Sequence, residues 1–211
     1  MATLYFRLRL PELDGARRRL NPQTVSANLG VCMPTTDPLA RFGEVPLFSL
    51  TSSVMTHGGP LAAAQYGEGA GGADASPDLA WSGYPAETKS FALTVYDPDA
   101  PTGSGYWHWA VFNIPAHVDS LPTGAGVENS PLLPAGSAVM PNEAREPTFI
   151  GAGPPPGTGT HRYQFVLHAL DVADLGVDPQ ATPAVMGFNV HFHTLARAVL
   201  EATGVAGGAS A

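Results

Sequence analysis

Apolar and polar positions alternate in short stretches along this chain, and no long stretch keeps a helical period until close to the C-terminus. Residues 4–10 (LYFRLRL) alternate apolar with basic side chains, the pattern of a short two-faced strand. Up to about residue 42 the chain is then polar, proline-containing and aperiodic. Alternation returns between residues 47 and 54. Residues 56–80, dominated by Gly, Ala, Asp, Ser and Pro, read as a long loop with at most short extended pieces. Residues 91–96 (FALTVY), 109–114 (WAVFNI) and 161–170 (HRYQFVLHAL) are rich in β-branched and aromatic side chains, which predicts three strands. The segment 116–160 holds eight prolines and seven glycines in 45 residues. A structureless loop of that length is unusual unless it is functional or contains short strands of its own. Residues 193–202 (HTLARAVLEA) set Leu195, Ala196, Val199 and Leu200 on one helical face with Gly204 as the stop, which predicts a late helix. The pattern predicts a mainly β domain with one or two helices near its end.

Composition supports that reading. Of 211 residues, 24 are Gly and 21 are Pro, too much backbone punctuation for a helix bundle. A hydrophobic share of 44% beside a charged share of 13% excludes disorder along the whole length. No apolar run reaches the ~18–20 residues of a membrane span. Five of the ten basic residues (Arg7, Arg9, Arg17, Arg18, Arg19) precede residue 20, so residues 20–211 carry five basic against sixteen acidic side chains. The overall charge of −8 argues against nucleic acid as the partner. The single Cys32 excludes an intramolecular disulfide and a Cys-rich zinc site. The N-terminus lacks an apolar h-region with a cleavage site, so a cytoplasmic protein is expected. MPTTDPLARFGEVPLFSL reads as a natural beginning at Met33, and residues 1–32 are expected outside the core.

Candidate chemistry collects at the strand ends. DPDAP follows FALTVY, and each proline restricts the residue before it, so Asp97 and Asp99 stand on a stiff segment. His108 lies between Trp107 and Trp109 at the start of the next strand. A rigid GAGPPPGTGT segment leads into His161, Arg162 and Tyr163. Three junctions carrying Asp, His and His-Arg suit a small polar pocket with an aromatic wall. Each also has a plainer reading: Asp-Pro is a common turn former, a histidine between tryptophans can be a buried residue bonded to a carbonyl, and triple proline is often a stiff loop. Gly103-Ser104-Gly105 lacks the spacing of a nucleophile elbow, and no phosphate-loop motif exists. His191 and His193 alternate as on a strand with no third ligand at metal spacing, so no metal site and no cofactor are expected.

At DPDAP, WHW and GTHRY the sequence resembles the phosphatidylethanolamine-binding protein family, also called Raf kinase inhibitor-like proteins, and within it the bacterial, actinobacterial-type branch. The likeness runs from about Phe48 to Leu200 through LTSSVMTHGGPL, GADASPDLAWSGYP, TKSFALTVYDPDAPTGSGYWHWAVFNIP, GPPPGTGTHRYQFVLHALD and GFNVHFHTLARAVL. It implies an antiparallel β-sandwich with a few short helices, chiefly C-terminal. The implied division is an extension over residues 1–42, the domain over 43–204 and a frayed tail over 205–211. The implied anion pocket has Asp97, Asp99, His108, Pro155, Gly157 and His161 as ligand-binding residues, with Asp74, Trp81, Arg162 and Tyr163 in support. It further implies a cis Ala100–Pro101 bond and a homodimer. Trp107 stands where eukaryotic members carry a second histidine, and no closing helix is evident after Gly204. On physical grounds two histidines can each donate to an anion, and a carboxylate at Asp97 would fix one ring's tautomer.

Three functions follow. The first is a non-enzymatic module for a small phosphate-like anion, regulating a protein partner such as a kinase or protease. The second is a hydrolase or esterase using the same His/Asp pocket. The third is an inhibitor presenting the Pro/Gly-rich loop to a protease or kinase.

Overall fold

In the computed structural model, residues 37–127 and 129–208 are described. The stretch LYFRLRL, the beginning at Met33 and most of the extension expected over 1–42 lie outside them. In chain order the elements are a 3-10 turn Pro38–Phe42, β1 (Ser49–Thr51), 3-10 turns Ala63–Gln65 and Glu68–Ala70, β2 (Leu79–Ser82), β3 (Ser90–Asp97), β4 (Tyr106–Pro115), β5 (Ser120–Leu121), β6 (Ala138–Val139), β7 (His161–Leu170), α1 (Pro183–His193) and β8 (Thr194–Gly204). Every strand pair is antiparallel. A three-stranded sheet runs β1-β2-β5 and a five-stranded sheet runs β6-β4-β3-β7-β8.

The larger sheet is covered on both faces, which is why β3 and β7 read as nearly continuous apolar runs rather than alternating ones. One face packs Phe91, Leu93, Trp109 and Phe165 against Leu79, Trp81 and Leu121 of the smaller sheet. The other packs Ala92, Ala110 and Phe112 with Met186 and Val190 of α1 and with Leu175. Burying a side chain of Phe or Leu size contributes roughly 1.5–3 kcal/mol. Phe91, Trp109 and Phe165 on one face and Phe112 and Met186 on the other are fully buried, so both layers stabilise the fold.

Two expectations change. Residues 194–204 form strand β8, not a helix, paired along its length with β7 from His161↔Gly204 to Leu170↔Thr194. Ala196, Ala198, Leu200 and Ala202 are buried at period two, and this strand pairing overrides the 3.6-residue pattern that Leu195, Ala196, Val199 and Leu200 also satisfy. The helix lies just before it, started by Pro183 at its first turn and Thr182 as N-cap, whose Oγ1 accepts from Val185 N–H at 3.4 Å. His191 and His193 therefore sit in the last turn of α1, where His193 pairs with Asp171 at 2.8 Å. The segment 116–160 does contain short strands, β5 and β6. Among the described residues no peptide bond is cis, so Ala100–Pro101 is trans.

The ends of the domain are folded as far as they are described. Phe42 lies 6.3 Å from the His168 ring, and residues 205–208 form a turn in which the Tyr66 hydroxyl accepts from Val205 N–H at 3.3 Å.

Candidate functional site

Strand β3 presents Asp97 at its last position, and Pro98 ends the strand because it has no N–H to continue the ladder. Antiparallel pairing of Tyr96 with Gln164 sets this end of β3 beside the first residue of β7, His161. Asp97 and His161 are 3% and 1% exposed, a buried pair that must satisfy its own polar atoms. It does so. Asp97 Oδ2 accepts from His161 Nδ1–H at 2.7 Å, and Oδ1 accepts from the Asp99 N–H at 2.8 Å. The other ring nitrogen of His161 lies 2.8 Å from Thr158 Oγ1, which has a second acceptor, the Pro155 carbonyl, at 2.7 Å. Thr158 has one proton for two neighbours. When it donates to Pro155, its oxygen can accept from His161 Nε2 only if that nitrogen also carries a proton, because Nδ1–H is already given to Asp97.

A β-bulge aims His108 at the same point. Val95 pairs with Trp109 and Tyr96 with Trp107, which leaves His108 as an extra residue on β4. The bulge turns Tyr106 and His108 toward Asp97, while Trp107 points away from the site and packs against Tyr96, with ring centroids 4.4 Å apart. The aromatic wall is thus Tyr106 and Tyr163, at 4.9 and 5.1 Å from the His108 ring, rather than the two tryptophans. His108 Nδ1–H donates to the Ile150 carbonyl at 2.8 Å, so Nε2 carries the lone pair and has no partner among the described residues. Burial holds the ring below its ordinary pKa, outweighing the opposing Ile150 hydrogen bond and Asp97 charge. At neutral pH His108 is an acceptor that becomes a donor only by taking up a proton.

Between these groups lies a cavity of about 350 Å³ lined by Asp97, Tyr106, His108, His161, Tyr163, Ile150, Gly151, Gly153, Pro155 and residues 100–102. The Tyr163 hydroxyl is buried without a hydrogen-bond partner; the Gly153 amide is near it but outside bonding geometry. An orphaned buried hydroxyl is rare and costs roughly 1–3 kcal/mol, so a group entering the cavity would relieve it.

The other candidate residues stand around the cavity rather than in it. Asp99 gives both oxygens to Arg162, accepting from its backbone N–H, Nε and Nη2 at 2.9, 2.8 and 2.9 Å, and does not line the cavity. Burial raises the Asp99 carboxyl, but the Arg162 hydrogen bonds and charge outweigh it and hold it below the usual carboxylate range. Asp74 accepts from Glu68 N–H at 2.8 Å and Gly151 N–H at 2.5 Å, which ties loop 67–74 to the cavity wall. At Gly151 a Cβ would collide with the Tyr66 and Gly67 backbone, so this close approach requires glycine. Gly157, at φ +87°, makes the turn that brings Thr158 to His161. Trp81 packs on Phe91 at 5.5 Å, at the end of β3 opposite Asp97, and is a core residue remote from the cavity. Sequence reasoning missed Tyr106, Thr158 and the 150–153 main chain. Only the YWHW wording could have flagged Tyr106; backbone groups leave no trace in side-chain motifs.

The model of the family described as phosphatidylethanolamine-binding protein matches residues 51–205. The chain belongs to the phosphatidylethanolamine-binding protein family. The Escherichia coli protein YbhB is 49% identical over 136 residues, which is 64% of this chain and 85% of that protein. E. coli YbcL is 44% identical over 157 residues, 74% of this chain and 86% of YbcL. The crystal structure of YbcL, described as a new member of the mammalian PEBP family, superposes with a TM-score of 0.71 at 42% identity, covering 74% of this chain and 96% of that one. The Chlamydia trachomatis homologue CT736 superposes with a TM-score of 0.64 at 29% identity, covering 75% and 97%. The matched span runs from the last residue of β1 through β8 and so includes Asp97, His108 and His161.

Proposed function

We propose that this member of the family is a non-enzymatic module that binds a small phosphate-like anion in the cavity at Asp97, His108 and His161, and that the loaded pocket regulates a protein partner. The observation that carries the reading is the pair of buried histidines whose Nδ1 atoms are fixed by Asp97 and by the Ile150 carbonyl, with Nε2 of each left for a ligand or an exchangeable hydroxyl. With each Nδ1–H already given to Asp97 or to the Ile150 carbonyl, an incoming anion would take a hydrogen bond from Nε2–H of His161, in place of Thr158, and of His108 when each ring carries its second proton. Tyr163 would supply a third. Charge-assisted bonds of this kind are roughly twice as strong as neutral ones. In this reading Pro155, Gly157 and Asp99 shape the rim, and Asp74, Arg162 and Tyr163 support it.

Calorimetric titration with inorganic phosphate tests the proposal: wild type binds saturably and His161→Ala binds at least tenfold more weakly. Equal affinities would falsify it.

A second reading, hydrolysis, is favoured by one observation. The Asp97–His161 pair at 2.7 Å has the form of an oriented general base. Against it, neither cavity histidine bonds a serine or cysteine among the described residues. Turnover of aryl esters that disappears in His161→Ala would establish this reading instead. The kinase or protease partner, the cytoplasmic location and the homodimer belong to the same proposal. Pull-down, cell fractionation and light scattering test them in turn. Among the described residues no helix is long and apolar enough to cross a membrane.

A further inference from the structure

A second cavity, of about 230 Å³, lies on the opposite face of the five-stranded sheet, under the 3-10 turn Pro38–Phe42 and α1. Its walls are mainly apolar and aromatic, with Phe42, Trp107 and Met186 among them. Strand β7 contributes Gln164 and His168, which are 3% and 5% exposed.

Hydrogen-bond chemistry fixes what these two side chains offer. The Gln164 amide nitrogen donates to Glu201 Oε2 at 3.0 Å, and because a carboxylate only accepts, Oε1 must be the other amide atom. That oxygen is buried without a partner. The Thr194 hydroxyl donates to the Val190 carbonyl at 2.7 Å, so toward His168 Nδ1 at 3.1 Å it can only accept. Nδ1 of His168 therefore carries the proton, and Nε2 is a lone pair with no partner among the described residues. Burial, reinforced by the charge of Arg197, keeps this ring neutral, with its pKa pushed down to about 3. Both groups are acceptors, on one strand face, and the basic Arg197 and Arg41 beside them disfavour a cationic ligand.

We infer that this cavity is a second ligand site, separate from the histidine pocket, for a small neutral aromatic molecule carrying one N–H or O–H donor, which bonds Gln164 Oε1. The size is suitable: apolar cavities of about 150 Å³ already hold benzene. A donor-bearing bicyclic ring fits this larger space, stacks on its aromatic walls and satisfies the buried oxygen. A ring of the same shape without the donor leaves that oxygen unpaired.

Indole and its donor-free isostere benzofuran are the probes, titrated into the full chain by ligand-observed NMR. Indole should bind saturably and about five- to tenfold more tightly than benzofuran. Gln164→Leu should reduce this preference to less than twofold. A second variant guards against misfolding of the first. Gly187 lines the cavity from α1 and has nothing within 4 Å of an added Cβ, so Gly187→Leu should project into the space, keep the helix and abolish indole binding. Saturating sulfate should leave the indole affinity unchanged, which separates this site from the proposed anion pocket. Equal affinities for the two rings, no saturable indole binding, or indole binding that survives Gly187→Leu would each overturn the inference.

Discussion

The two faces of the five-stranded sheet each bury histidine, and they do so with opposite electrostatics. At the strand-end cavity His161 faces a carboxylate, Asp97, at 2.7 Å. On the outer face His168 shares its surroundings with Arg197, itself 6% exposed with its Nε unpartnered. A carboxylate neighbour stabilises positive charge that develops on a ring, whereas a guanidinium neighbour and full burial suppress it. The first arrangement suits donation to an anion. The second suits a permanently neutral acceptor. Identical side chains on one strand, β7, are given different chemistry by what the adjoining strand supplies.

The largest expected effect comes from the outer face. His168 has a folded-state pKa of about 3 against an ordinary 6.5, so below pH 6.5 the unfolded chain binds a proton that the folded chain does not. Stability is complete above 6.5 and declines as pH falls toward 3, by about 1.4 kcal/mol per pH unit from this residue. His108, also lowered by burial, acts in the same direction. Denaturant unfolding at pH 7 and pH 4.5 should show a loss that is smaller in His168→Gln by about 2–3 kcal/mol. Identical losses in both proteins would erase the contrast between the two faces.

Next comes His161→Ala, which removes a hydrogen bond to a charged ligand and should weaken phosphate binding by about 1.5–3 kcal/mol. Titration calorimetry reads it. A smaller change is expected at Asp99, whose ion pair with Arg162 is partly exposed. Asp99→Asn should cost about 1 kcal/mol of stability or less. The lowered carboxyl means that this contribution is present at neutral pH and lost as pH falls through the carboxylate range. Phosphate affinity should change less than threefold, because Asp99 does not line the cavity. His117→Ala, at an exposed residue outside the site, should change neither quantity measurably.

The central strands were legible because burial on both faces writes them as apolar runs, and the grouping of Asp97, His108 and His161 was legible because these residues sit at the ends of those runs. Strand β8 was not. Its buried positions 196, 198 and 200 overlap a helical stripe, and only pairing with β7 decides between the two periods. Nor was the bulge at His108 visible, since nothing in YWHW says which residue the partner strand will skip. Trp81 and Asp99 carried family wording, yet one belongs to the core and the other to an ion pair behind the site. The outer-face cavity left no motif at all. It exists because a 3-10 turn and a helix distant in sequence cover one strand face.

The most direct test of the account uses sulfate, which does not titrate near neutrality, so that any pH dependence belongs to the protein. Calorimetry at pH 8, 7 and 6 on wild type and Asp97→Asn follows the charge on His108. The His108 ring, neutral at pH 7 because burial lowers it, must gain a proton to donate, and an anion at Nε2 draws that proton in. Wild-type affinity should therefore rise as pH falls from 8 to 6, by up to about tenfold per pH unit for each proton taken up. In Asp97→Asn the rise should be clearly flatter, because the carboxylate charge no longer favours the protonated His108 ring. A wild-type affinity that is constant across this range, or a rise that Asp97→Asn leaves intact, would contradict the account.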